Sequence, residues 1–135
     1  MPSVEASPAY TGPDSRMILV RFENDRSLLA DVLEVFLETC PAMLSQIRQA
    51  ISSRNPKSLF VAAHSFKGAA SNFCIDRAVD LAARLEYMAA DEDLGDLKDA
   101  GRLGERLDKE MSRVTPLLQN LLQETLLHET VPCTF

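Results

Sequence analysis

Apolar residues recur at Leu29, Val32, Leu33, Phe36, Cys40, Met43, Leu44, Ile47 and Ile51, in steps of three or four broken by single steps. That spacing is one face of an α-helix and cannot be a strand, whose faces alternate every second residue. The stripe keeps its phase across Pro41. A proline inside a helix removes a hydrogen bond and kinks the axis. The unbroken phase therefore predicts one long bent helix rather than two. Asn24 or Asp25 can supply its N-cap.

Three further segments carry the same signature. Asn55-Pro56 is a capping residue followed by proline at the first helical position, and Leu59, Ala63, Phe66, Ala70 and Phe73 form the stripe behind it. Asp76 is placed to cap a third helix, with Val79, Leu81, Ala82, Leu85 and Met88 facing inward. Asp91 to Gly95 reads as a loop. The fourth helix carries Leu97, Ala100, Leu103, Leu107, Met111, Val114, Leu118 and Leu121; Gly101 and Gly104 weaken its start and Pro116 kinks it. Four amphipathic helices joined by short loops predict an all-α fold, an antiparallel four-helix bundle. Residues 1–16 contain Pro2, Pro8 and Pro13 among small polar residues and read as a flexible arm. The bundle is expected over residues 17–127. Met17 to Phe22 forms a short lead-in, helical or extended, and 128–135 a loose tail.

Composition narrows the functional classes. The net charge is -6, with no basic cluster, so nucleic acid is a poor partner. No apolar run approaches the roughly 20 residues that span a bilayer, and the N-terminus lacks the basic and apolar segments of a secretory signal. Cys40, Cys74 and Cys133 are odd in number and far apart. They make neither a disulfide framework nor a metal site, and a reducing, cytoplasmic setting is expected.

One face does not fit a plain bundle. With the apolar stripe of the second helix taken as inward, His64 points roughly 140° away, onto the outer surface. Lys67 and Gly68 follow at i+3 and i+4 on that surface, and Ser71 continues it. Phe60 and Val61 lie one turn earlier, turned at least partly outward. Any one of these is commonplace on a helix; together they describe a docking surface built around an imidazole. A neutral imidazole is nucleophilic near physiological pH and can attack a phosphoryl group. A nearby ammonium such as Lys67 can stabilise the charge on the transferring oxygens. Glycine at 68 clears space for a partner approaching the ring.

The ring also needs orienting. The turn between the second and third helices centres near Ile75, and His64 and Glu86 stand equally far from it on either side. In an antiparallel hairpin they lie at similar heights. Glu86 can then accept the Nδ1 proton and leave Nε2 as the nucleophile; the alternative is an ordinary solvated carboxylate on the helix surface. Arg84 is the expected competitor for that carboxylate.

The segment Ala63-His64-Ser65-Phe66-Lys67-Gly68-Ala69-Ala70-Ser71-Asn72-Phe73 resembles the signature of histidine-phosphotransfer (HPt) domains. Asp25 through Pro41 is similar to the family's first long helix, and Leu81 to Glu86 to its third-helix segment ending in Leu-Glu. The likeness spans roughly residues 22 to 122, and Phe73-Cys74-Ile75 departs from the family's usual turn. The resemblance implies a phosphoryl carrier with no ATP site or cofactor of its own. His64 would take a phosphoryl group on Nε2 from a receiver-domain aspartyl phosphate and pass it to another receiver. Lys67 and Gly68 match the family's assisting lysine and clearance glycine, and Glu86 matches a position that hydrogen-bonds the histidine in some members. Receivers, one of them on a hybrid sensor histidine kinase, are the implied partners; they would bring the Mg²⁺. The carrier itself is expected to be a monomer.

Two other readings compete. An HPt-like module could bind a receiver or kinase without relaying phosphate, but it would not need His64 with Lys67 and Gly68. A histidine-kinase dimerisation domain also presents a histidine on a helix, but normally with an acidic residue next and a proline soon after; Ser65 and Gly68 do not fit.

Overall fold

The computed structural model describes residues 13–91 and 97–130. It is all-helical: α1 (Ser15–Arg21), α2 (Arg26–Ser52), α3 (Pro56–Ala70), a 3₁₀ turn (Ser71–Phe73), α4 (Asp76–Ala90) and α5 (Leu97–Thr130), with no strand among the described residues. The long helices pack in a ring in which α2 and α4 each touch both α3 and α5. Arg48 of α2 pairs with Asp108 of α5 at 2.9 Å, and Ile51 lies against Gly104, so the two helices run in opposite senses.

Local chemistry sets most of the boundaries. Asp14 caps α1, its carboxylate accepting from the Arg16 and Met17 backbone N–H groups at 2.9 and 3.4 Å. Ser15 and Arg16, expected in the arm, therefore belong to a helix; the arm's residues 1–12 lie outside the described residues. Asp25, not Asn24, caps α2 by accepting from Leu28 N–H at 3.0 Å. The preceding Glu23 and Asn24 take positive φ values of 55° and 61°, which reverse the chain after α1. Asn55 caps α3 through Ser58 N–H at 3.1 Å, with Pro56 in the first turn as expected.

Asp76 is not a cap. Ile75 holds that position with no side-chain hydrogen bond, and Asp76 is already in the first turn of α4. Cys74 explains the shift: at φ 55° it ends the 3₁₀ turn in the left-handed region, so the helical conformation starts one residue earlier than a capping aspartate would require. In the first turn Asp76 still opposes the positive end of the helix dipole. At the other end, α5 runs to Thr130, past the expected limit of 127. The loop expected over Asp91 to Gly95 lies largely outside the described residues, as does Cys133.

Helix α2 continues through Pro41 and α5 through Pro116. Both prolines are on exposed faces, where the carbonyls that lose a partner can turn to water. The core takes Leu29, Leu33, Phe36, Cys40, Ile47 and Ile51 from α2, and Leu59, Ala63, Phe66, Ala70 and Phe73 from α3 and its 3₁₀ extension. Each such large side chain contributes about 1.5–3 kcal/mol on leaving water. Ile18 and Phe22 show how α1 is fixed: both are buried, and Phe22 stacks on Phe73 at 6.0 Å. Phe73 also meets Phe36 at 5.0 Å, so one aromatic cluster joins α1, α2 and the end of α3.

Candidate functional site

Helix α3 commits Leu59, Ala62, Ala63, Phe66 and Ala70 to the core, which turns His64 outward. The His64 side chain is 64% exposed. Its Nδ1 lies 2.5 Å from Oε2 of Glu86, which α4 presents across the α3–α4 hairpin. The Glu86 side chain is only 13% exposed, so this carboxylate is held largely away from water. Its second oxygen, Oε1, accepts from Nζ of Lys67. One carboxylate thus ties together the two polar side chains of α3 that helical phase placed on the outer surface.

The electrostatics follow from that geometry. The Lys67 hydrogen bond holds the Glu86 carboxyl below its ordinary value of 4.5; burial opposes this and the His64 hydrogen bond adds to it. Glu86 is therefore ionised at neutral pH and can only accept. A neutral His64 ring makes this contact with its proton on Nδ1, leaving the Nε2 lone pair free.

The other expected site residues fall around this centre. Gly68 is exposed, and a Cβ added there would meet nothing within 4 Å. The glycine serves no helix packing; it leaves open space beside the ring. Ser71 is half-buried and donates its hydroxyl to the Gly68 carbonyl at 2.8 Å. Val61 is 64% exposed. Phe60 is half-buried, with its ring stacked on the His64 imidazole at 5.8 Å between centroids and 16° between planes.

Arg84 is not the competitor for Glu86. It pairs with Asp80 one turn back on α4, at 3.2 Å. Lys67 takes the second carboxylate oxygen instead, a contact that counting along α4 alone could not find. The available signal was its place three residues after His64, on the same side of α3. The sequence also carries a quieter sign: from Asn55 to Ile75 there is no Asp or Glu, although the whole chain has 20. Among the described residues, Cys40 and Cys74 offer no competing chemistry in this region. Burial, then Asp108, pushes the Cys40 thiol up to about 11, and burial also raises Cys74.

The fold and site together define an all-α domain that presents an exposed imidazole on a helix, backed by a carboxylate and flanked by a lysine and an unobstructed glycine. The Hpt domain family matches residues 31–125, and the chain belongs to that family. Membership places it in histidine phosphotransfer within two-component signalling, among domains that interact with receivers and histidine kinases and that in general carry phosphate without using ATP. Two solved structures share the fold. Histidine-containing phosphotransfer protein B from Pseudomonas aeruginosa PAO1 aligns with a TM-score of 0.75 and 23% identity, over 86% of this chain and 98% of that one. The HPT domain of an Hpt sensor hybrid histidine kinase from Shewanella aligns with a TM-score of 0.72 and 15% identity, over 83% and 94%. No curated protein matches the chain. Among the described residues, no helix is long and apolar enough to cross a membrane.

Proposed function

We propose that the chain is a phosphorelay carrier in which His64 accepts a phosphoryl group from the aspartyl phosphate of one receiver domain and passes it to another. The observation that carries this reading is the 2.5 Å contact between His64 Nδ1 and Glu86, which leaves Nε2 as the nucleophile on an exposed face. In the forward step the Nε2 lone pair forms a bond to phosphorus. The bond between phosphorus and the aspartyl oxygen breaks, and its electrons return to the receiver's carboxylate. The ring keeps its Nδ1 proton and gains positive character, which the Glu86 carboxylate opposes. The reverse sequence delivers the group to the next receiver.

Lys67 neutralises charge on the phosphoryl oxygens as they pass, leaving Glu86 Oε1 to do so, and Gly68 gives the partner room to approach. Val61, Gly68 and the half-buried Ser71 form the docking face. The absence of carboxylates along α3 favours a partner whose own site is acidic and holds an anion. Mg²⁺ and the phosphoryl donor both come from that receiver, one of which sits on a hybrid sensor kinase. The four long helices act as an antiparallel bundle, with α1 as lead-in, in a monomeric cytoplasmic protein. Incubation with a phosphorylated receiver should transfer acid-labile, base-stable label to the wild type. Label that persists in His64→Gln, or never appears in the wild type, overturns the assignment.

A further inference from the structure

Phe60 does not stand free at the surface as a docking residue would. It is half-buried and packs against the core, while its ring faces the imidazole one helical turn on. His64 is itself held at two points: by the backbone through Cβ, and by Glu86 at Nδ1. Two points define an axis, and Nε2 lies off it. A ring fixed only in this way can still swing about that axis and carry Nε2 through an arc. Most of the side chain is open to solvent, so little else on that surface opposes the swing. The stacked ring of Phe60 does oppose it, because it meets the imidazole over its face rather than at its edge.

Resting on the phosphotransfer reading, we propose that Phe60 is a positioning residue for that reaction: core-anchored, it fixes the plane of the His64 ring and so the direction of the Nε2 lone pair. Offset aromatic pairs at this separation attract beyond the area they bury. In-line transfer is sensitive to direction, and a misplacement of about 1 Å can cost on the order of 100-fold in rate. Loss of one of three restraints, with the other two intact, should cost roughly 3- to 10-fold. Phe60 touches neither the phosphoryl group nor the partner in this role. Its effect belongs to the transfer step and not to the encounter.

The test uses Phe60→Leu, which keeps an apolar contact with the core but removes the ring, and Phe60→Tyr, which restores it. Phe60→Ala is the harsher variant. In the unphosphorylated protein, the imidazole C–H resonances of His64 should move in Phe60→Leu and return in Phe60→Tyr, as loss and recovery of a stacked ring require. In single-turnover transfer from a receiver that labels the wild type, the rate at saturating receiver should fall 3- to 10-fold in Phe60→Leu. The half-saturating concentration should stay unchanged, and Phe60→Tyr should recover the rate. A raised half-saturating concentration with an intact saturating rate would make Phe60 a docking contact and overturn the proposal. A wild type that takes no label sinks the phosphotransfer reading itself. An unmoved imidazole spectrum, or an unmoved saturating rate in a protein that does take label, sinks only the role of Phe60.

Discussion

Replacing Glu86 by alanine should change which nitrogen of His64 carries the proton. In the intact site the carboxylate accepts at 2.5 Å from Nδ1 and selects the tautomer with Nε2 unprotonated. A hydrogen bond to a charged group contributes about 1.5–3 kcal/mol. His64 is 64% exposed, so water competes for that proton, and about 1 kcal/mol is the fitting figure. That corresponds to about a fivefold change in tautomer ratio. Nitrogen-detected correlation spectra of the imidazole should show the Nε2–H form growing by about that factor. Transfer should slow by at least as much, because the variant also loses the charge that opposes the developing imidazolium. Stability should fall by under about 1 kcal/mol, since Lys67 can reach water. Unchanged tautomer populations together with an unchanged transfer rate would refute the orienting role. A large loss of stability would show that the carboxylate is mainly structural.

The remaining predictions concern the same cluster. A carboxyl held below its ordinary pKa contributes stability that is fully present above the unfolded value and is lost as pH falls through the folded one. The difference in melting temperature between wild type and Glu86→Gln should thus persist down to the ordinary carboxylate value of 4.5 and close below it; a gap that closes above that value would contradict the pairing. Lys67→Ala should slow transfer about tenfold with little loss of stability, and should raise the Glu86 carboxyl in a carbon-detected titration, because Lys67 is the first cause of its lowering. Gly68→Ala adds a Cβ into open space and gains about 1 kcal/mol of helix preference. Its melting temperature should rise by about 3–5 °C while transfer to a receiver falls; a rise with unimpaired transfer would remove the clearance role.

Much of this site could be read from residue spacing because it depends on helical phase and one hairpin. Phase alone turned His64, Lys67 and Gly68 outward. Counting from Ile75 brought Glu86 level with His64, and the structure puts their side chains in contact. The same counting failed where a side chain had two places to go. Arg84 found Asp80 on its own helix, while Lys67, with a flexible four-carbon stem, reached the carboxylate from the facing helix. Phe60 was legible as partly outward, but phase cannot say whether an i, i+4 aromatic stacks or stands free. The cap of α4 was missed for a backbone reason. A left-handed cysteine is uncommon, and Asp76 is an ordinary capping type in the wrong register. The Met17 to Phe22 run was too short for its periodicity to decide, and the Phe22–Phe73 stack that fixes α1 is a contact between distant segments.

The left-handed Cys74 therefore matters beyond the local turn. It lies in the only link between the helix that carries the imidazole and the helix that carries its proton acceptor. A helix advances about 1.5 Å per residue, so a slip of one residue at this joint would move Glu86 by far more than a short hydrogen bond can absorb. Holding a non-glycine residue there costs about 1–3 kcal/mol, met by the packing of Phe73 and Ile75 on either side. The turn works as a vernier. It sets the axial alignment of hydrogen-bonding partners it never touches, and their contact can be detuned by loosening a joint remote from the imidazole.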